Sequence, residues 1–240
     1  MKTNRTRNID GRTAKRWRAA AVAATAGCIA TAAHAQSWFQ FEAAIGGSAY
    51  SDGGDGYWYQ EGFEHKLRLT APAYEAGITG DLYQREHWGL SYHLDYVWLG
   101  QIRTQSLAVT DADYNVSAHA CIANCNNPAN FIGSGHEASF IATLQPHYDV
   151  GAWQFGVEAG PFFHRSVWTE DVTGSLVGGA LHVVSTDGWR FGYVVGASVE
   201  YKRLSLTYQY FGVKPTGVNP APPIWHGIHS LMLKYRANVF

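Results

Sequence analysis

Apolar and polar residues alternate one for one through long stretches of this chain. Leu90, Tyr92, Leu94, Tyr96 and Trp98 interleave with Ser91, His93, Asp95, Val97 and Leu99, the period of a strand with one apolar face and one mainly polar face. The alternation returns through Trp153 to Gly160, Trp189 to Glu200, Arg203 to Tyr210 and Ser230 to Val239. Weaker runs at Phe39 to Ile45, at Leu67 to Leu82 with a bulge expected at Pro72, and at Ala138 to Val150 bring the total to about eight strands.

The polar face decides the class. A soluble sandwich shows water a charged face, but here that face is Gly, Ser and Thr with scattered opposite charges, as suits a crowded lumen. The apolar face, heavy in Tyr, Trp, Phe, Leu and Val, then meets lipid. Trp38, Trp88, Trp153 and Tyr201 are expected at one rim, and Tyr50, Trp168, Tyr210 and Trp225 at the other. Connections at Tyr83 to Trp88, Asp149 to Ala152 and Tyr201 to Arg203 are short, whereas Ser51 to His65, Arg103 to His136, Thr169 to Gly188 and Gly212 to His226 are long. Short periplasmic turns and long outer loops are the rule for such barrels. The expected fold class is therefore all-β, a transmembrane antiparallel up-and-down barrel.

Composition narrows the setting. Residues 1–35 hold 7 of the 18 Lys+Arg and 1 of the 19 Asp+Glu, which leaves 11 basic against 18 acidic residues in 36–240. An acidic remainder without a basic stripe argues against nucleic-acid binding. Lys2 to Arg18 is a basic stretch, Ala19 to Ala33 an apolar one, and Ala33-His34-Ala35 has the small-x-small pattern of a cleavage site. Residues 1–35 read as a secretory signal peptide and 36–240 as the barrel. Thr25-Ala26-Gly27-Cys28 partly matches a lipobox, with Thr25 in place of the usual leucine.

Together with that leader, the aromatic-rich strands and the ending His229-Ser230-Leu231-Met232-Leu233-Lys234-Tyr235-Arg236-Ala237-Asn238-Val239-Phe240 resemble the small eight-stranded outer-membrane barrels of the OmpA transmembrane-domain, OmpX, OmpW and opacity-protein type. The resemblance implies a place in the bacterial outer membrane, contact with its lipid and lipopolysaccharide, and a terminal strand, with Tyr235 and Phe240, read by the barrel-assembly machinery. Counting back from Phe240 by twos gives Asn238, Arg236 and Lys234, so the terminal aromatic is out of step with the lipid-facing set.

By parity, Glu75, His93, Asp95, His147, Glu158, His164, Arg190, Glu200, Lys234 and Arg236 point inward, with Asp149 paired to His147. An eight-stranded interior is just wide enough for side chains to fill it, so the expected role of this set is a plug of ion pairs and hydrogen bonds. Ser91, His93 and Asp95 have the residue types of a hydrolytic triad, but i and i+2 on a strand lie roughly 6.6 Å apart, too far for proton transfer. The expectation is a non-catalytic barrel, without cofactor or metal, serving a structural or surface-interaction role toward an extracellular ligand or host surface. Two alternatives stand beside it: a narrow small-solute pore, compatible with inward Phe162, Phe211 and Met232, and a lipid A-modifying enzyme, for which His229-Ser230 sits at the outer rim. Cys121 and Cys125 lie in a long outer loop, where export favours a disulfide; a zinc site with His119 and His136 is the competing arrangement.

Overall fold

The computed structural model describes residues 39–52, 60–174, 178–186, 188–213 and 225–238. Residues 1–35, read above as a signal peptide, and Trp38 and Phe240 lie outside them. The strands are β1 (Gln40–Asp52), β2 (His65–Arg68), β3 (Thr70–Gln84), β4 (Trp88–Ala108), β5 (Tyr114–Asn115), β6 (Ala120–Cys121), β7 (Ala129–Val150), β8 (Trp153–Gly174), β9 (Gly179–Thr186), β10 (Arg190–Tyr201), β11 (Leu204–Gly212) and β12 (Trp225–Asn238). Every pairing is antiparallel, and β12 pairs with β1, so β1-β3-β4-β7-β8-β10-β11-β12 close into a ring of eight. β2 and β9 prolong β3 and β10 along the outer ends of β4 and β8, so the wall continues upward there.

The alternation dictates the two faces of the wall. Ile45, Leu94, Tyr96, Phe140, Leu144, Phe155, Val157, Leu206, Leu231 and Leu233 are exposed on the outside, while their neighbours in sequence are buried inside. A continuous apolar belt around a closed ring is stable only against hydrocarbon, and closure leaves no unpaired edge within it. Trp88, Trp153 and Tyr201 stand at the end with the short turns, Trp153 against Tyr201 with ring centres 4.8 Å apart. Gly151 and Lys202 adopt positive φ (63° and 61°) in two of these turns.

Four expectations are corrected. Tyr50, Trp168 and Trp225 are not rim residues: each is at most 3% exposed, and they pack together inside the outer half of the lumen. The bulge is not at Pro72, which pairs in regular register with Gly47; β3 shifts register only near its end, between Asp81 and Tyr83, and opposite Pro72 it is β4 that bulges, between Trp98 and Gln101. Gly100 takes φ 77° there, and a Cβ on it would sit 2.2 Å from the Pro72 carbonyl oxygen. Two of the four long connections, Arg103 to His136 and Thr169 to Gly188, are also shorter than expected, because β4, β7 and β8 run for 21, 22 and 22 residues, about twice the ~9–11 that cross a bilayer. Beyond the belt the outer face is polar, while the inner face holds Thr104 and Ser106 as well as Ile102, Trp168 and Val172, so residues such as Gln101, Arg103 and Gln105 lack the apolar-out contrast that marks the strand within the belt. Finally, the lumen is not polar throughout: Val97, Leu99, Ile141, Phe162, Val194, Phe211, Ile228 and Met232 form a buried apolar layer across it.

The bulge strands polar backbone groups, and β1 satisfies them. Ser48 Oγ donates to the Leu99 carbonyl, and Tyr50 Oη donates to that of Gly100 at 3.0 Å. Tyr50 Oη also accepts the Glu137 N–H at 3.3 Å, opposite the register shift.

Candidate functional site

Below the apolar layer, facing the short turns, β1, β3, β4, β8, β10 and β12 aim charged groups inward, with Thr143 and Gln145 of β7 among them. Lys234 on β12 is the centre. Its Nζ is bonded to a Glu75 carboxylate oxygen and lies 3.4 Å from Glu42 Oε1 and 3.7 Å from Asp95 Oδ2. Arg236, two residues on, reaches Glu200 Oε2 at 3.2 Å and Glu42 Oε2 at 3.9 Å. His93 stands between Glu42 (2.7 Å) and Gln145 (2.5 Å), and the Gln145 amide continues to Ser198. Thr143 donates to Glu158 at 3.2 Å. Gly77 makes this possible, because by register it lies between Glu42 and Asp95, and a Cβ there would fall 2.1 Å from Asp95 Oδ1.

Nearer the turns, His147 meets Ser91 Oγ at 3.3 Å and Gln84 at 3.0 Å, while Ser91 donates to Asp81 at 2.7 Å. Asp149 closes the end, accepting from Gln84 and Gln154 at 2.6 and 3.1 Å.

A second cluster lies above the apolar layer. Glu137 on β7 is fully buried; its Oε1 is 2.5 Å from His164 Nδ1, and its Oε2 accepts from Ser166 Oγ at 2.8 Å and Trp225 Nε1 at 3.1 Å. The His164 ring stacks on Phe162 with centres 4.6 Å apart. Arg190 lies opposite His164 on β10, half-buried.

The belt, the closed ring and the filled lumen together fix the class. The chain is a small eight-stranded outer-membrane β-barrel. No protein-family model matches it, and no curated protein does. Solved structures similar to it include Ail, the attachment invasion locus protein of Yersinia pestis, in complex with the heparin analogue sucrose octasulfate (11% identity, TM-score 0.32, covering 82% of this chain and 97% of that one). The outer membrane enzyme PagL is similar at 15% identity and TM-score 0.36, over 83% of this chain and 99% of its own. Neisserial surface protein A stands at 13% and 0.33, over 83% and 96%. At such values the likeness says nothing of activity.

Within the barrel, Glu75, His93, Asp95, Glu200, Lys234 and Arg236 share one network, with Glu158 at its edge; His147 and Asp149 form a separate chain of contacts, and His164 with Arg190 belongs to the upper cluster. Sequence reasoning missed Glu42, Gln145, Glu137 and Ser166. The signal for Glu42 was the parity of Phe41, Ala43 and Ile45, all of which face outward with Glu42 between them. Glu42, His93 and Asp95 offer three ligand atoms within 4.8 Å of one another, but the Lys234 ammonium already stands among these carboxylates. Tyr235 is exposed on the lipid face of β12. Cys121 and Cys125 are disulfide-bonded, and the zinc arrangement is not assembled: His119 faces Glu61 at 3.3 Å, and His136 lies on β7 against Trp98.

Proposed function

We propose that this protein is a non-catalytic outer-membrane barrel whose lumen is plugged, and that it serves a structural or surface-interaction role through its outer end. The observation that carries the reading is the seal. The gap lined by His93, Gln145, Glu158, Ser198, Ser205, Thr207, Lys234 and Arg236 has no room for a water molecule, and the apolar layer lies across the lumen above it. The partners that follow are outer-membrane lipid and lipopolysaccharide around the wall, the barrel-assembly machinery that inserts it, and an extracellular ligand or host surface at the long strands.

The arrangement of Ser166, His164 and Glu137 supports the non-catalytic reading. A triad needs the histidine between serine and acid, whereas here both Ser166 and His164 bind the same carboxylate. All three are buried, and Trp225 Nε1 donates to the same Glu137 carboxylate. A narrow pore is the second reading, because among the described residues the seal consists only of side chains from the wall itself, and Arg236 is partly exposed.

Planar-bilayer recording on the refolded barrel is the test, with a lipid A ester-hydrolysis assay beside it. The expected result is no stepwise conductance and no fatty-acid release. Reproducible unit conductance in the wild type moves the pore into first place, and fatty-acid release abolished by Ser166→Ala replaces the reading with an enzyme.

A further inference from the structure

The outer wall on β4, β7 and β8 changes character at a sharp level. Below it lies a groove of about 510 Å³ in the apolar belt, floored by Ala142 and Pro161 and walled by Leu94, Tyr96, Phe140 and Phe163. Arg165 follows Phe163 on the same outer face, roughly 6.6 Å further along β8, and the residue opposite it on β7 is the small Ala138. Higher on the wall, Arg103 on β4 faces outward and pairs directly with Arg68 on β2. Lys66 is exposed one outward step above.

Like charges directly opposite on paired strands repel and cost stability. Among the described residues no carboxylate stands within ion-pair distance of Arg68, Arg103, Arg165 or Lys66. The nearby wall acids do not relieve them, since Asp171 is bound to His182 at 2.5 Å and Glu64 lies beyond Lys66. The wall therefore presents unneutralised guanidinium groups at the level where the hydrocarbon ends and lipid headgroups begin.

We propose that this face is a docking site for a phosphorylated lipid of the outer leaflet, of the lipopolysaccharide type, with its phosphates on Arg68, Arg103 and Arg165 and an acyl chain in the groove below. The inference rests on the outer-membrane placement and names where the lipopolysaccharide contact proposed above is made; it does not depend on the plug. Guanidinium groups suit phosphate because they donate two parallel charge-assisted hydrogen bonds. Four residues along β7 and two inter-strand steps separate the positions of Arg103 and Arg165, roughly 16 Å, a span for two phosphates joined by a sugar backbone rather than for one.

The test uses the folded barrel in nanodiscs of zwitterionic lipid, probed with fluorescent bis-phosphorylated lipid A and with the same lipid after removal of both phosphates. Arg68→Gln, Arg103→Gln and Arg165→Gln combined should weaken binding of the phosphorylated probe at least tenfold and leave the dephosphorylated one unchanged. Ala142→Trp, which fills the groove, should weaken both. Lys202→Gln with Arg203→Gln, cations at the opposite rim, should alter neither. Equal wild-type affinity for the two probes, or wild-type affinity in the triple variant, overturns the proposal, as does an equal loss in the opposite-rim variant. Folding is checked by heat-modifiable gel migration, and if the triple variant fails that check, Arg165→Gln alone, expected to lose severalfold, decides the matter in the same way. Conductance is unaffected by any of these outer-wall changes, so failure here is separate from failure of the plug.

Discussion

Tyr50 links two strands through one hydroxyl. It donates to the Gly100 carbonyl and accepts the Glu137 N–H, both beside the β4 bulge. Tyr50→Phe leaves these buried groups unpaired and should cost ~2 kcal/mol, read as a lower midpoint in detergent unfolding. Tyr208→Phe, whose hydroxyl meets only the exposed His229, should stay within about 0.5 kcal/mol of the wild type. At this scale the sequence told direction but not partnership. Parity is a local property, so it places His93 and Lys234 inside; that both meet Glu42 depends on how three strands align around the ring, which no single stretch of sequence records. Tyr50, Trp168 and Trp225 misled for a related reason: an aromatic near a strand end suits a membrane rim and a capped lumen equally well, and only parity within a correctly bounded strand separates the two.

Strand length was the least legible property of the elements. Inside the belt, hydrocarbon against a packed lumen imposes strict alternation; above it, water replaces hydrocarbon and the constraint on the outer face vanishes. Glu170 sits on that upper part of β8, outside the membrane-spanning segment, 4% exposed. Burial pushes its carboxyl up from 4.5 to about 7. The unfolded chain ionises near 4.5 while the folded chain keeps its proton until about 7, so stability falls as pH rises through that window and the loss is complete above it. Glu170→Gln should gain up to ~3 kcal/mol over the wild type at pH 8 and nothing at pH 4, which denaturant midpoints at the two pH values will show. The loop between β4 and β7 carries the Cys121–Cys125 bond, four residues apart in sequence. So short a ring removes little chain entropy, about 2 kcal/mol at most. Cys121→Ser with Cys125→Ser should therefore leave barrel assembly, followed by heat-modifiable migration, unchanged.

For the whole molecule, the ring closes where β12 meets β1, and the lumen network spans that seam: Lys234 and Arg236 come from β12, Glu42 from β1 and Glu75 from β3. Lys234→Met would leave the buried Glu75 and Asp95 carboxylates without a cation and Glu42 with only Arg236 and His93, at a cost of ~3–5 kcal/mol. Its unfolding temperature in detergent should drop sharply, and Glu75→Leu added to it should restore part of the loss. The class itself was the most legible feature, because lipid imposes its pattern on every strand at once and each repetition reinforces the others.

The bulge at Gly100 has a genetic consequence. Below it the even-numbered residues of β4 face outward, and above it the odd-numbered ones do. Loss of that one codon would remove the extra residue and run both halves in one unbroken alternation, with Gln101, Arg103 and Gln105 still outside and Ile102, Thr104 and Ser106 still inside. A single-codon deletion elsewhere in upper β4 would exchange the two faces beyond it, so the bulge is the place in this strand that absorbs such a loss.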